Sequence, residues 1–230
     1  MRFIDDMNKI DLVNREVIGV DETGVGDYFT PLVACAAYVP TNLEKQVLNL
    51  GVKDSKKITD KKICEIAPKL MRLIPYSVYT LSQAGFNKLS ARYNNNELKF
   101  FAHACALSNF KQNKSQFNPD LIVIDKYSTT NSILKYHSKF FENNWANIAE
   151  YDLQTLLVEK AEDLHVSVAC ASIIARYTLL QYMQKQNQEW NFHFSLGASA
   201  KVKEQVKEFV ALHGEKSLPN VCKMNFKLSK

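Results

Sequence analysis

Glycine and proline are scarce in this chain, seven and six of 230 residues, and no Gly-, Ser- or Pro-rich stretch separates one part from another. Repeats, low-complexity tracts and flexible linkers are thereby excluded. Low glycine beside abundant Lys and Asn reads as codon-usage bias, not as function. Cysteine occurs at Cys35, Cys64, Cys105, Cys170 and Cys222, but never as a C-x-x-C pair. A zinc site lacks its ligand spacing. An odd count, with four members in apolar stretches, fits free thiols in a reducing cytosol, so a cytoplasmic protein is expected. No basic start leads into an apolar segment, which excludes a visible signal peptide. No apolar run is long enough to span a bilayer, so no membrane is expected. Neither sign of charge dominates: 29 Lys+Arg stand against 24 Asp+Glu, a net charge of +5. That excess permits a polyanionic partner without requiring one.

What is present is ordinary for a globular chain, 46% hydrophobic and 23% charged, with length enough for a sizeable core. Residues 1–16 read as a short N-terminal arm, and 17–230 as one domain with a helical C-terminal part. Residues 17–22 and 30–39 form an apolar hairpin around the Gly24/Gly26 turn. Thr41 or Asn42 caps a short helix to Leu48, and Thr59-Asp60 caps one to Leu73 that Pro68 should kink. Tyr76 to Leu81 alternates as a strand. Asn94 to Asn96 begin a long helix to Phe110. Residues 119–125 and 153–158 are short apolar strands, and 129–137 reads as a helix. From His165 to Gln188, Val166, Ala169, Cys170, Ile173, Tyr177 and Leu180 recur at helical spacing and mark a core face. A last helix spans Lys201 to Leu212. A hairpin followed by strands alternating with helices implies a layered α/β sheet.

Three strand ends carry acids: Asp21-Glu22, Asp125, and the group Glu159, Glu162 and Asp163. Acids at the ends of neighbouring strands converge, and four carboxylates can hold two Mg²⁺ ions roughly 3.5–4 Å apart for an in-line phosphoryl displacement. The bland alternative, acids that merely end strands in solvent, is common for any one of them. Asp21-Glu22 stands out by the glycines that follow at once, which let a backbone approach a ligand. Asp125 stands out by closing a four-residue apolar run. Period-two alternation puts Glu162 on one side and Glu159 and Asp163 on the other, and leaves open which faces the metals.

The stretch Asp21-Glu22-Thr23-Gly24-Val25-Gly26-Asp27-Tyr28-Phe29-Thr30-Pro31-Leu32-Val33 closely resembles the first motif of type 2 ribonucleases H, and within that group ribonuclease HIII. Asp54-Ser55-Lys56-Lys57 is similar to the second motif and Ile124-Asp125-Lys126-Tyr127 to the third. Lys160-Ala161-Glu162 with the run His165 to Tyr177 resembles the fourth. Leu196-Gly197-Ala198-Ser199 and Lys223-Met224-Asn225-Phe226 resemble the closing elements. Motifs in this order cover nearly the whole chain, which chance explains poorly. The resemblance implies a ribonuclease H-like fold, a mixed five-stranded sheet flanked by helices. It implies endonucleolytic hydrolysis of the RNA strand of RNA–DNA hybrids, leaving 5′-phosphate and 3′-hydroxyl ends. The implied cofactors are two Mg²⁺ ions, with Mn²⁺ as substitute, and the implied ligands and catalytic residues are Asp21, Glu22, Asp125 and Glu162.

The fourth carboxylate follows Lys-Ala in the family, which singles out Glu162. Ribonuclease HII usually has Asp there, and Arg at the position of Val25. Two departures stand out. Ribonucleases HIII typically carry an N-terminal substrate-binding domain, for which residues 1–16 are too few. The closing motif usually has His where this chain has Asn225.

Gly24, Val25 and Gly26 are implied to sense ribose 2′-hydroxyls, and Ser55 and Lys56 to contact phosphate. Arg176 is a candidate phosphate contact, weighed evenly against a pair with a nearby acid. Asp27 is assigned to bracing the turn. His103, His137, His193 and His213 are assigned to surface or packing, His165 to a helix start, and Tyr28 and Tyr127 to packing. A monomer needing no protein partner is expected. The rivals are ribonuclease HII-like nicking at single ribonucleotides embedded in DNA, and a hybrid-binding protein without catalysis.

Overall fold

A computed structural model describes residues 1–13, 15–52 and 58–225. The strands are β1 (Arg2–Ile4), β2 (Val17–Thr23), β3 (Leu32–Tyr38), β4 (Tyr76–Leu81), β5 (Leu121–Asp125) and β6 (Gln154–Val158). The helices are α1 (Glu44–Asn49), α2 (Asp60–Leu73), α3 (Gln83–Ser90), α4 (Asn95–Asn113), α5 (Thr130–Phe141), α6 (Ala161–Leu164), α7 (Val166–Trp190), α8 (Ala200–His213) and α9 (Leu218–Val221). One sheet runs in the order β1-β6-β5-β2-β3-β4. β3 pairs antiparallel with β2 and β4, while β2, β5, β6 and β1 are mutually parallel. The carboxyl ends of β2, β5 and β6 therefore share one edge, the usual ligand position of a parallel sheet.

The expected five-stranded sheet is corrected to six strands, because the supposed N-terminal arm supplies β1. Arg2 to Ile4 pair with Gln154 to Leu156. Three residues are too short for a period-two signal, and an edge strand with Arg2 exposed does not read as apolar. α2 contains Pro68 without ending there, and Thr59 caps it as expected by accepting from the Lys62 N–H at 3.2 Å. Asn94 and Glu97 form a reciprocal capping box that starts α4.

The sheet separates two apolar clusters. One is built with α2 and α7, the other with α4. In α7 every residue from Ser167 to Ala175 is buried, more than the one-sided face the spacing implied. The helix lies so close to β2 that a Cβ on Gly19 would fall 2.2 Å from the Val168 nitrogen. By length and composition α7 could also cross a bilayer, alone among the described helices, contrary to the sequence expectation. Its packing against β2, β3 and α2 accounts for that composition as core. Cys35, Cys105, Cys170 and Cys222 are buried, Cys64 is exposed, and all five are free thiols.

Candidate active site

Asp21 and Glu22 are consecutive on β2, so their side chains leave opposite faces of the strand. Asp21 lies on the α7 side, where the Ser172 hydroxyl bonds to its carboxylate. Its Oδ1 also accepts the Glu22 N–H at 2.8 Å. Glu22 lies on the α4 side. Lys99 Nζ stands 2.7 Å from its Oε1, and His103 Nε2 stands 2.7 Å from its Oε2. Lys99 Nζ also sits 4.4 Å from the centre of the Tyr127 ring.

β5 continues the edge. Val20 pairs with Ile124, which sets Asp125 beside Asp21 across the parallel ladder. Asp125 Oδ1 accepts the Ala161 N–H at 3.3 Å, which ties the end of β5 to the start of α6. Lys160, at φ +56°, makes the tight turn from β6 into α6. Of the three acids left open by the sequence, Glu162 is buried and its charge acts on Asp21. Glu159 and Asp163 are exposed, and Glu159 lines a different cavity with Asp5 and Lys126.

Asp21, Glu22, Asp125, Lys99, Ser172 and Arg176 line one open cavity of about 460 Å³. Burial raises the Asp21 acid well above the carboxylate range, and the charges of Glu22 and Glu162 raise it further. Burial alone would raise Glu22 too. There His103 and Lys99 outweigh it, through hydrogen bonds and charge, and the net shift is downward. Among the described residues no group of three or more Asp, Glu, His or Cys side chains is set as a ready metal site. Glu22 has both oxygens committed to α4.

Gly24 is required by the fold. It has φ +85°, and a Cβ there would meet the Pro31 carbonyl oxygen at 2.2 Å. Gly26 is different, because a Cβ there would meet nothing within 4 Å. Val25 packs into the apolar cluster on the α4 side. Arg176 makes a two-pronged pair with Asp60, Nε to Oδ1 and Nη2 to Oδ2 both at 2.9 Å. Ser55 and Lys56 lie outside the described residues. His165 starts α7, its Nδ1 accepting the Ser167 N–H at 3.2 Å.

Lys99 and His103 were missed by sequence reasoning. His103, assigned to surface or packing, is buried in the packing and is also bonded to Glu22, a partner the sequence did not indicate. The available signal was their i, i+4 spacing within the mostly apolar stretch 98–107 of α4, which puts two polar side chains on one face.

A family model for ribonuclease HII matches residues 18–229. The chain belongs to the ribonuclease HII family. It is an enzyme of the ribonuclease H type. Ribonuclease HIII of Listeria monocytogenes (strain EGD-e) is 35% identical over 93% of this chain and 67% of its own length. Ribonuclease HIII of Phytoplasma mali is 34% identical over 91% of this chain and 70% of its own. Among solved structures, Bst-RNase HIII in complex with Mn²⁺ superposes with a TM-score of 0.87 at 32% identity, covering 95% of this chain and 69% of that one. Aquifex aeolicus RNase H3 gives 0.71 at 25% identity, over 92% of this chain and 72% of the other. The chain thus spans about two thirds of the length of these ribonucleases HIII.

Proposed function

We propose that this protein cuts the RNA strand of RNA–DNA hybrids internally, leaving 5′-phosphate and 3′-hydroxyl ends. Two divalent cations, Mg²⁺ or Mn²⁺, would be held by Asp21, Glu22, Asp125 and Glu162. The observation that carries this reading is the gathering of Asp21, Glu22 and Asp125 around one cavity at the carboxyl edge of the sheet, with Glu162 buried and close enough for its charge to act on Asp21. The donor set fits, since hard divalent cations prefer carboxylate oxygen. Burial, and after it the charges of Glu22 and Glu162, raises Asp21, and a dication held there would favour its ionised form. The Mn²⁺ complex of Bst-RNase HIII supports a divalent cation as cofactor.

Cations held at this site would supply Lewis acidity for displacement at phosphorus. The chain's own groups do the rest. Asp21 must give up its proton to act as a ligand, and Ser172 stabilises the resulting carboxylate. Lys99 and His103 keep Glu22 ionised and fixed. The turn Gly24-Val25-Gly26 offers backbone to the ribose 2′-hydroxyl, the group that separates RNA from DNA. The open side of Gly26 supports that role, because nothing in the protein demands glycine there. Ser55, Lys56 and Arg176 would hold backbone phosphates, Arg176 by exchanging Asp60 for phosphate. The test is a cleavage assay on a continuous hybrid with Mg²⁺ or Mn²⁺, with Asp21→Asn as control. Wild-type inactivity on that substrate rejects the assignment.

A further inference from the structure

Lys223 belongs to the closing motif, and the catalytic reading leaves it without a task. Its side chain is fully buried. Burying an ammonium is costly unless its donors are satisfied. Lys223 Nζ donates to the carbonyl oxygens of Gly24 and of Asp27, the latter at 3.1 Å, and lies 5.2 Å from the centre of the Phe86 ring. Those carbonyls bracket the Gly24–Asp27 turn. The Lys223 backbone N–H donates to the Tyr28 carbonyl at 2.8 Å, so the same residue grips the turn twice.

The segment bearing Lys223 is itself anchored from α3. Asn87 Nδ2 donates to the Pro219 and Cys222 carbonyls at 2.9 and 2.8 Å, and Asn87 Oδ1 accepts the Met224 N–H at 2.8 Å. A continuous strap therefore runs from α3 through residues 222–224 to the turn.

Peptide planarity gives the strap a consequence for recognition. In a trans peptide the C=O of one residue and the N–H of the next point in opposite directions. Drawing the Gly24 carbonyl inward to Lys223 turns the Val25 N–H the other way, away from the core. Thr30 Oγ1, which donates to the same Gly24 oxygen at 3.2 Å, reinforces that orientation.

We propose that Lys223 is a positioning residue that sets the Gly24-Val25-Gly26 backbone for reading the ribose 2′-hydroxyl, anchored through Asn87. This rests on the proposal that the turn does that reading. Burial draws the Lys223 ammonium down to about 8, so the strap also costs the fold some stability. A residue kept for packing alone would more simply be apolar.

The experiment compares the wild type with Lys223→Met, which keeps the stem and removes the donors, and with Asn87→Ala, which loosens the strap and keeps the charge. Steady-state cleavage of a continuous RNA–DNA hybrid gives KM and kcat, and calorimetric titration with Mn²⁺ alone reports on the carboxylates. For Lys223→Met we expect KM up by about tenfold, kcat within about threefold, and Mn²⁺ affinity unchanged. A merely structural role would lower the melting temperature and leave the KM of the folded enzyme where it was. An unchanged KM in folded Lys223→Met overturns the inference. If that variant does not fold, Asn87→Ala decides: a KM rise of about threefold supports the strap, and an unchanged KM overturns it. A wild type that does not cleave the hybrid overturns the function reading instead, and the role of Lys223 with it.

Discussion

Asp21 and Glu22 are chemical near-equals one residue apart, yet the protein treats them oppositely. Glu22 meets two cationic or donating side chains from α4, and its acid is pulled down. Asp21 meets a hydroxyl and a backbone N–H on the α7 side, and its burial, with two further carboxylates in range, pushes its acid up. The alternation of β2 alone produces this difference, by handing each acid to a different packed layer. One carboxylate is held ionised by partners from the fold, and the other is left with few partners that favour its ionised form.

The sharpest way to break this contrast is to neutralise Asp21. Asp21→Asn keeps the shape and removes the charge. Cleavage should fall by at least about 10³-fold while hybrid binding is largely kept. With divalent ions chelated, the same variant should melt higher than the wild type, because it no longer buries an ionisable carboxyl beside Glu22 and Glu162. The sign follows from linkage. A folded-state acid raised above its unfolded value holds its proton longer in the native state, so stability is lost as pH rises through the folded value. The melting gap between Asp21→Asn and wild type in chelator should therefore widen as pH rises above the ordinary carboxylate range. A gap that is flat with pH would mean that Asp21 is not under this strain.

The opposite result is expected at Glu22. Lys99→Met strips its ammonium partner and leaves a largely buried carboxylate with His103 alone. Stability should fall by about 2–3 kcal/mol, below the full cost of orphaning a buried ion because Lys99 keeps some exposure. Since Glu22 is lowered in the folded protein, its contribution is present above the ordinary glutamate range and is lost as pH falls through the folded value. Acid unfolding followed by circular dichroism should therefore start at higher pH in Lys99→Met. Coincident acid transitions would show that the pair contributes nothing to the fold.

This asymmetry also marks where the sequence could and could not be read. Asp21, Glu22 and Asp125 were legible because apolar strand runs end directly in them. Gly24 was legible as a backbone requirement. Residues local in sequence cannot reveal α4 lying across the face of β2, so Lys99 and His103 stayed hidden inside a helix whose burial on all sides blurs its period. β1 was hidden for the reverse reason, being too short to show any period. Glu162 was chosen over Glu159 and Asp163 by resemblance alone, and its burial, with its charge acting on Asp21, is an independent observation in its favour.

The smallest expected effect concerns the turn that follows the two acids. Reading a lone ribonucleotide in DNA demands a signal from the RNA–DNA junction as well as from the 2′-hydroxyl. Ribonuclease HII has an Arg between its motif glycines, whereas Val25 here packs into the α4-side cluster. Its partly buried aliphatic side chain offers no charge and no hydrogen bond, so only backbone can bond the ribose. A backbone group can sense every 2′-hydroxyl along an RNA strand, but it gains nothing from the deoxyribose that follows. Cutting should therefore occur at several positions within a continuous RNA strand paired to DNA. Nicking at a single embedded ribonucleotide in Mg²⁺ should be slower by at least about tenfold in kcat/KM. Val25→Arg should narrow that ratio by only a few fold, because a charged side chain must leave the apolar cluster to reach the substrate. Comparable wild-type rates on the two substrates would transfer the chain to ribonuclease HII-like activity, whatever its turn resembles.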